Sequence, residues 1–428
     1  MFITKRSAPA ILILVLLLAA LGFAYNRPVT AVRHTTADKK ENPSFLFLSD
    51  IHLDSQTDTT IYGYETGMDL WRNFLSKADS VLSGKDAPRF IVYTGDLPAH
   101  YSCDTTCYLP PSGRAAHNQN LQTILTGLRN LADKHNTPLF YMPGNNDGLA
   151  GDYYSFADET GQTPLSLVPD PSNPYPALNI VAGNKAPCMV SMPHPEMGYY
   201  SARPVKDLRL ICLNTVIYSK KFTAVDGSQP DNDRQTQMTW LAGQLAEARM
   251  MKEKVYIAMH IPPGTDAYSN KPMWDKGTTT SWLNSFLSLV TQYQGDISGV
   301  LYGHTHMDEL RRLYDSTGKN ITEVAICCPG VTPQHMNNPG FKTVTYDEDS
   351  KELMNFTTYY TQPWQQAWGT DCYTFDSVFS NKKHETIYKK ISGMSLRKTG
   401  NIMKTIYTVM NQPATYKSVK NGINVKWE

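Results

Sequence analysis

An α/β fold is predicted for this 428-residue chain by three observations. Short apolar runs alternate with stretches of helical pattern, which is the rhythm of an α/β domain. Most of these runs end in a residue that can bind a metal ion. The composition, 41% hydrophobic with 27 Gly and 27 Pro, is that of a globular, loop-rich chain. Its length suits one large domain or two ordinary ones.

The elements follow in order. SFLFLSD (44–50) is short and aromatic, as a buried strand is, and TGMDLWRNFLSKADSVL (66–82) reads as the first helix. PRFIVYTGD (88–96) is the second strand and HNQNLQTILTGLRNLADKH (117–135) the second helix. PLFYMPGN (138–145) is the third strand. The rhythm then breaks: residues 148–200 are rich in Pro, Gly, Tyr and Ser and read as a long irregular insertion over a site. LRLICLNT (208–215), KVYIAMH (254–260) and ISGVLYGH (297–304) are further strands. RQTQMTWLAGQLAEARMM (234–251) and TTSWLNSFLSLVTQY (279–293) are the helices between them. After residue 345 the pattern becomes mixed and mostly helical. The expected division is 1–24 export signal, 25–43 polar leader, 44–345 catalytic domain and 346–428 helical appendage with a basic tail.

The first 24 residues carry that export reading. MFITKR is short and basic, and APAILILVLLLAALGFA is a run of about 17 apolar or small residues, long for a signal core and short for a span. Gly22 and Ala24 suit a cleavage site. The expected destination is an exported compartment: periplasm, extracellular space, or a vacuole- or lysosome-like lumen. An uncleaved membrane anchor is the alternative. Export permits disulfides, and Cys103 and Cys107 bracket a short loop and are expected to pair. Cys212, inside LRLICLN, reads as a buried strand residue. The net charge of +1 points to no nucleic-acid-specific binding. Residues 381–428 nonetheless hold ten Lys/Arg against two Glu, a solvated face or a surface for membrane or anionic contact.

The chemistry collects at the strand ends. Asp50 and His52 follow the first run, Asp96 the second and Asn145 the third; His260 ends a fourth, and His304 and His306 follow a fifth. Ligand sites of open α/β sheets lie beyond the carboxyl ends of the strands, so these seven residues are expected to converge. Seven N/O ligands are too many for one ion with an open position. They suit two ions about 3.5–4 Å apart. Imidazole, carboxylate and amide ligands fit Zn, Mn or Fe and do not choose among them; zinc is the ion expected.

In this order D-x-H, G-D, G-N-x-D, a strand-end His and G-H-x-H resemble the calcineurin-like metallophosphoesterases, over roughly residues 44–345. GDLPAH (95–100), GYYS followed by LRLICLNT, QMTWLAGQLAEA leading to EKVYIAMHIPPG, and NPGFKTVTYD (338–347) are similar to the acid sphingomyelinase-like phosphodiesterase branch. The resemblance implies a four-layer αββα sandwich built on two mixed sheets. It implies that Asp50, His52 and His306 hold one ion, that Asn145, His260 and His304 hold the other, and that Asp96 bridges them, with a bridging hydroxide as the attacking group. Asp147 is expected to help fix the Asn145 loop. The wider family has His where this chain has Asn146, as some endopolyphosphatase-like relatives also lack it. An amide can hydrogen-bond a phosphate oxygen but has no useful proton to give. His100, in GDLPAH, is then the candidate acid.

The leaving group decides how much Asn146 matters. A leaving phosphate has a pKa near ~6, whereas an alkoxide is closer to water's ~15.7. Weak acid assistance therefore favours nucleotides, polyphosphate or activated phosphodiesters as substrates. A sphingomyelinase-type lipid phosphodiesterase is the alternative, with Tyr153, Tyr154, Phe156 and Tyr175 as aromatic cover for an apolar or choline-like group. A non-catalytic anion-binding module is the reading from another class.

Overall fold

Strands that are apolar along their whole length must be covered on both faces, and that need stacks this molecule in layers. The structure is a computed structural model that describes residues 42–100, 107–169, 188–277, 281–412 and 414–428. The expected export signal, most of the polar leader, Cys103 of the expected disulfide and Tyr175 lie outside those residues.

Strands β1 (Ser44–Leu48), β2 (Ile91–Tyr93) and β3 (Leu139–Tyr141) pair in parallel, with Phe47 opposite Val92 and Val92 opposite Phe140. Helices α1 (Met68–Leu82) and α2 (Ala115–Lys134) connect them. Both helices face the strands with one stripe: Leu70, Trp71, Phe74, Ala78 and Leu82 on α1, and Leu121, Ile124, Leu125 and Leu128 on α2. These side chains share a core with Phe45 and Phe47.

The second sheet is built around β6 (Leu208–Cys212), β7 (Lys254–Ala258) and β8 (Ile297–Tyr302), again parallel, with α3 (Asp231–Met251) and α4 (Trp282–Gln292) between them. The two-residue period of a strand divides its side chains between two cores. Tyr256 and Ala258 join the core that holds Phe45, while Val255 and Ile257 pack with Leu241, Leu245, Phe286 and Leu287 of α3 and α4. The Phe45 and Tyr256 rings touch across the two sheets at 5.8 Å. Helices, six-stranded sheet, eight-stranded sheet and helices make the expected αββα sandwich.

The full sheets are larger than the six runs suggested. β11 (Gly340–Tyr346), β12 (Leu353–Tyr360) and β13 (Cys372–Thr374) extend the first sheet, in the order β13-β12-β11-β1-β2-β3. β4 (Met189–His194), β5 (Tyr199–Val205), β9 (Leu310–Tyr314), β10 (Ile321–Cys327) and β14 (Asn424–Val425) extend the second, in the order β14-β9-β10-β8-β7-β6-β5-β4. Both are mixed, because β1 pairs antiparallel with β11, and β5 with β6. The stretch expected to be irregular up to residue 200 therefore ends in sheet. β4 (MVSMPH) is an edge strand whose pairing with β5 is interrupted twice, and it tolerates Pro193 for that reason.

The boundary expected at 345/346 falls inside β11. The helices begin at Phe375, with α5 (Phe375–Val378), α6 (Ile387–Ser392), α7 (Leu396–Ile406) and α8 (Tyr416–Ile423). Phe375, Ile391, Met403 and Ile423 belong to the same core as Phe45. Cys212 is fully buried on β6, as expected, and burial pushes its thiol up to about 12. Among the described residues no helix is long and apolar enough to cross a membrane.

Candidate metal centre

Each of the seven strand-end residues sits just past its strand, and the ends converge. β1, β2 and β3 belong to one sheet and β7 and β8 to the other, so the centre is assembled where the two sheets present carboxyl ends together. Asp50, His52, Asp96, Asn145, His260 and His306 are buried, at 3% exposure or less. Only His304 is partly open.

The backbone bends sharply to aim them. Asp50, His52, Asp96, His304 and His306 all have left-handed φ, between 46° and 73°. Non-glycine residues rarely adopt that conformation, and such strain gathers at functional sites. Glycine supplies the room beside them. A Cβ on Gly144 would stand 2.1 Å from Asp96 Oδ1, and one on Gly303 would stand 2.0 Å from Ser49 Oγ.

The ligand atoms form two groups, Asp50/His52/His306 and Asp96/His260/His304, each with all its atoms within 4.8 Å of one another. Asp96 Oδ2 lies between them, 3.4 Å from His52 Nε2 and 3.1 Å from His260 Nε2. It is buried and faces only those two rings. A buried carboxylate needs cationic charge beside it, which the two rings supply when protonated and metal ions would supply in their place. Asn145 Oδ1 is 3.1 Å from His260 Nε2, while its Nδ2 donates to Asp152 Oδ1 at 2.8 Å and to Asn146 Oδ1 at 2.7 Å. The amide therefore turns its oxygen to the centre and its hydrogens away. His306 Nε2 is 3.1 Å from His52 Nε2, and His304 Nδ1 is 3.3 Å from His260 Nε2.

Outer contacts set the rings. His52 Nδ1–H donates to Pro98 O at 3.1 Å and His260 Nδ1–H to Thr94 O at 2.7 Å, which turns both Nε2 atoms inward. The Ser49 hydroxyl donates to Asp50, and the His304 amide donates to the same carboxylate at 3.0 Å. Asp147 ties the β2 and β3 loops together. It accepts from the Asp96, Leu97 and Gly144 amides and from the Tyr141 hydroxyl, at 3.1, 2.6, 2.7 and 2.7 Å.

The electrostatics agree with a cation-seeking site. Burial pushes Asp50 up to about 6. Burial would also raise Asp96, but the His260 and His52 rings beside it outweigh burial and hold it well below the usual carboxylate range. Against the same burial, Asp96 lifts His52 and His260 to about 9. Burial keeps His304 and His306 well below the ordinary imidazole value, hence neutral, the form that binds metal.

The two remaining candidates are set around this centre. Asn146 is fully buried; its amide N–H donates to Asp96 Oδ1 at 2.8 Å and its side-chain Nδ2 has no partner. His100 stacks on His52 with ring centroids 4.3 Å apart, and its Nδ1 lies 2.9 Å from Glu65 Oε1. Sequence reasoning missed Glu65, Gln334 and His335. His335 packs on the His306 ring at 4.5 Å. None of them follows a strand; the one signal for His335 was a histidine in a Pro-rich loop. Of the expected aromatic cover, Phe156 is instead a core residue packed on Tyr141, while Tyr154 is half-buried and packs on the exposed Tyr108. Tyr153 is buried, with its backbone N–H donating to Asn145 O at 2.8 Å, so it supports the loop.

The family model for the calcineurin-like phosphoesterases matches residues 43–308. A Dictyostelium discoideum protein named sphingomyelinase phosphodiesterase D is 26% identical over 371 residues, covering 79% of this chain and 80% of its own. The rat cyclic GMP-AMP phosphodiesterase SMPDL3A is 26% identical over 67% of this chain, and the match spans 60% of that protein's length. The mouse acid sphingomyelinase-like phosphodiesterase 3b is 27% identical over 44% of this chain and 45% of its own.

Proposed function

Because the chain belongs to the calcineurin-like phosphoesterase family, and so is a metal-dependent phosphoester hydrolase, we propose that it is an exported two-ion phosphoesterase. Its substrates in this reading are the phosphodiester or phosphoanhydride bonds of phosphorylated small molecules or polyphosphate. Asp50, His52 and His306 would hold one ion and Asn145, His260 and His304 the other, with Asp96 standing between the two groups. The observation that carries the reading is the buried Asp96 Oδ2 set between His52 Nε2 and His260 Nε2, where the two groups of ligand atoms meet. Zinc is the ion expected, with manganese or iron equally compatible with this donor set. Two divalent ions, when bound, lower the pKa of coordinated water and neutralise charge on the phosphoryl oxygens.

The chain's own groups do the rest. Asp147 fixes the loops that present Asp96 and Asn145. The unpartnered Asn146 Nδ2 donates to a non-bridging phosphoryl oxygen, which the buried donor needs and the substrate supplies. His100 passes a proton to the leaving oxygen. With one histidine fewer than the wider family, the site suits leaving groups that depart as stable anions. The names of the Dictyostelium and mouse relatives support a second reading, a sphingomyelinase-type lipid phosphodiesterase. Export rests on the basic-then-apolar first 24 residues, and membrane contact would come through that segment or the basic tail.

The test is to assay the purified protein on ATP, polyphosphate, a bis-aryl phosphodiester and sphingomyelin, with and without added metal. Metal-dependent turnover highest on the anhydrides or the activated diester supports the proposal. Turnover highest on sphingomyelin selects the second reading. Metal-independent turnover, or none on all four, overturns the enzymatic proposal.

A further inference from the structure

One more carboxylate stands against the centre. Glu65 lies in the loop between β1 and α1, its side chain 19% exposed. Its Oε1 is 2.9 Å from His100 Nδ1 and accepts from Gln334 Nε2, also at 2.9 Å. Three loops meet here, those after β1, β2 and β10. The backbone holds them together: the Thr66 amide donates to His52 O at 3.0 Å and the Thr332 amide to Asp50 O at 3.1 Å, the Gly63 amide joins the first loop to the third at Pro333 O at 3.1 Å, and the Ala99 amide joins the second to the first at Leu53 O at 2.9 Å.

His52, Glu65 and His100 offer ligand atoms within 4.8 Å of one another, so a third cation is the first alternative to weigh. His52 has no atom to give it. Its Nδ1 is committed to Pro98 O at 3.1 Å, and its Nε2 faces Asp96 Oδ2 at 3.4 Å and His306 Nε2 at 3.1 Å. What remains is a carboxylate–imidazole pair. A carboxylate only accepts, so at 2.9 Å His100 Nδ1 carries the hydrogen; Gln334 Nε2, 3.2 Å from the same nitrogen, gives its hydrogen to Glu65 at 2.9 Å instead, and Nε2 of the protonated ring carries the proton to be delivered.

The geometry points to Glu65 as the positioning residue that holds His100 in one orientation, accepting from Nδ1–H so that the Nε2–H of the protonated ring is the proton delivered to the leaving group. The need is physical. His100 is on a loop and its side chain is 34% exposed, so an untethered ring would sample several rotamers and both tautomers. The stack on His52 fixes the plane of the ring, and the bond to Glu65 fixes its rotation within that plane. Gln334 holds Glu65 in turn. A carboxylate behind an imidazole is a recurring way to set which nitrogen meets the substrate. Glu65 acts through His100 and touches no reacting atom. This inference rests on the assignment of His100 as the proton donor.

The experiment is a double-mutant cycle on the full-length, metal-loaded protein: wild type, Glu65→Ala, Glu65→Gln, His100→Ala and the Glu65→Ala/His100→Ala pair. kcat, KM and metal content are measured with ATP, a bis-aryl phosphodiester and glycerophosphocholine. On the substrate that suffers most from His100→Ala, Glu65→Ala should lower kcat at least tenfold, toward the ~10²–10⁴-fold worth of a general acid. KM and metal content should stay near wild type. Glu65→Gln keeps an acceptor for Nδ1–H and should fall between. The double variant should be no slower than His100→Ala alone, since Glu65 has nothing left to position. Additive losses, wild-type kcat in Glu65→Ala, or metal loss in that variant would overturn the role of Glu65 while leaving His100 standing. Wild-type kcat in His100→Ala on all three substrates would remove the His100 assignment itself, and the positioning role with it.

Discussion

At the residue scale the adjacent asparagines divide two tasks. Asn145 turns its oxygen to His260, and Asn146 keeps a free donor beside Asp96. Neither supplies a proton, which makes the choice of leaving group the sensitive property of this site. His100→Ala should slow an alkyl phosphodiester by ~10²–10⁴-fold and ATP or polyphosphate far less, because a leaving phosphate is already a stable anion. Asn146→His should improve the alkyl ester selectively. Equal losses on both substrates in His100→Ala, assayed on one preparation, would show that His100 binds phosphate or supports its loop. The ligands themselves were legible because each follows directly on an apolar run, where the end of a strand dictates where a side chain will stand. Glu65 was not. Its place depends on a loop that folds back onto the β2 and β10 loops, and no periodicity in GYETG announces that.

At the element scale, strands covered on both faces announce themselves as apolar runs, which is why β1, β2, β3, β6, β7 and β8 were readable. β9 (LRRLY) was not, because it buries polar side chains. Arg311 is fully buried against Glu309 Oε1 at 2.9 Å and the carbonyls of Pro263 and Thr265 at 3.0 Å. β10 (ITEVAIC) hides a similar cost. Glu323 is 6% exposed, and burial pushes its carboxyl up from 4.5 to about 8. Its stabilising protonated form is fully present below the unfolded value near 4.5, and the stability it confers is lost as pH rises through about 8. Denaturant midpoints at pH 5 and pH 8 should therefore show wild type falling relative to Glu323→Gln at the higher pH, with the variant the more stable there. Parallel pH dependence in the two proteins would show that Glu323 is not held protonated.

At the scale of the whole molecule, sequence rhythm and packing part company after residue 345. The pattern changes there because the half-buried β12 and the short edge strands β13 and β14 replace doubly covered ones, yet the chain continues into the same sheet and core. Residues 346–428 supply β12 and β13 alongside β11, and Phe375, Ile391 and Met403 to the core around Phe45. A chain ending at 345 should be insoluble or unfolded by circular dichroism; a soluble, cooperatively melting product would show that the C-terminal part is dispensable. The centre depends on the same integration, since four of its ligands come from one sheet and three from the other. Two stacked sheets, five strand ends and one buried carboxylate between two imidazoles point to a two-ion site joined by Asp96. Its most direct test is elemental analysis and phosphoesterase activity on the same preparations of wild type and Asp96→Asn. The account predicts about two divalent ions per chain in active wild type, as a two-metal phosphoesterase requires, and loss of metal and activity together in the variant. Metal-free active wild type, or an Asp96→Asn protein that keeps both metal and activity, would contradict it.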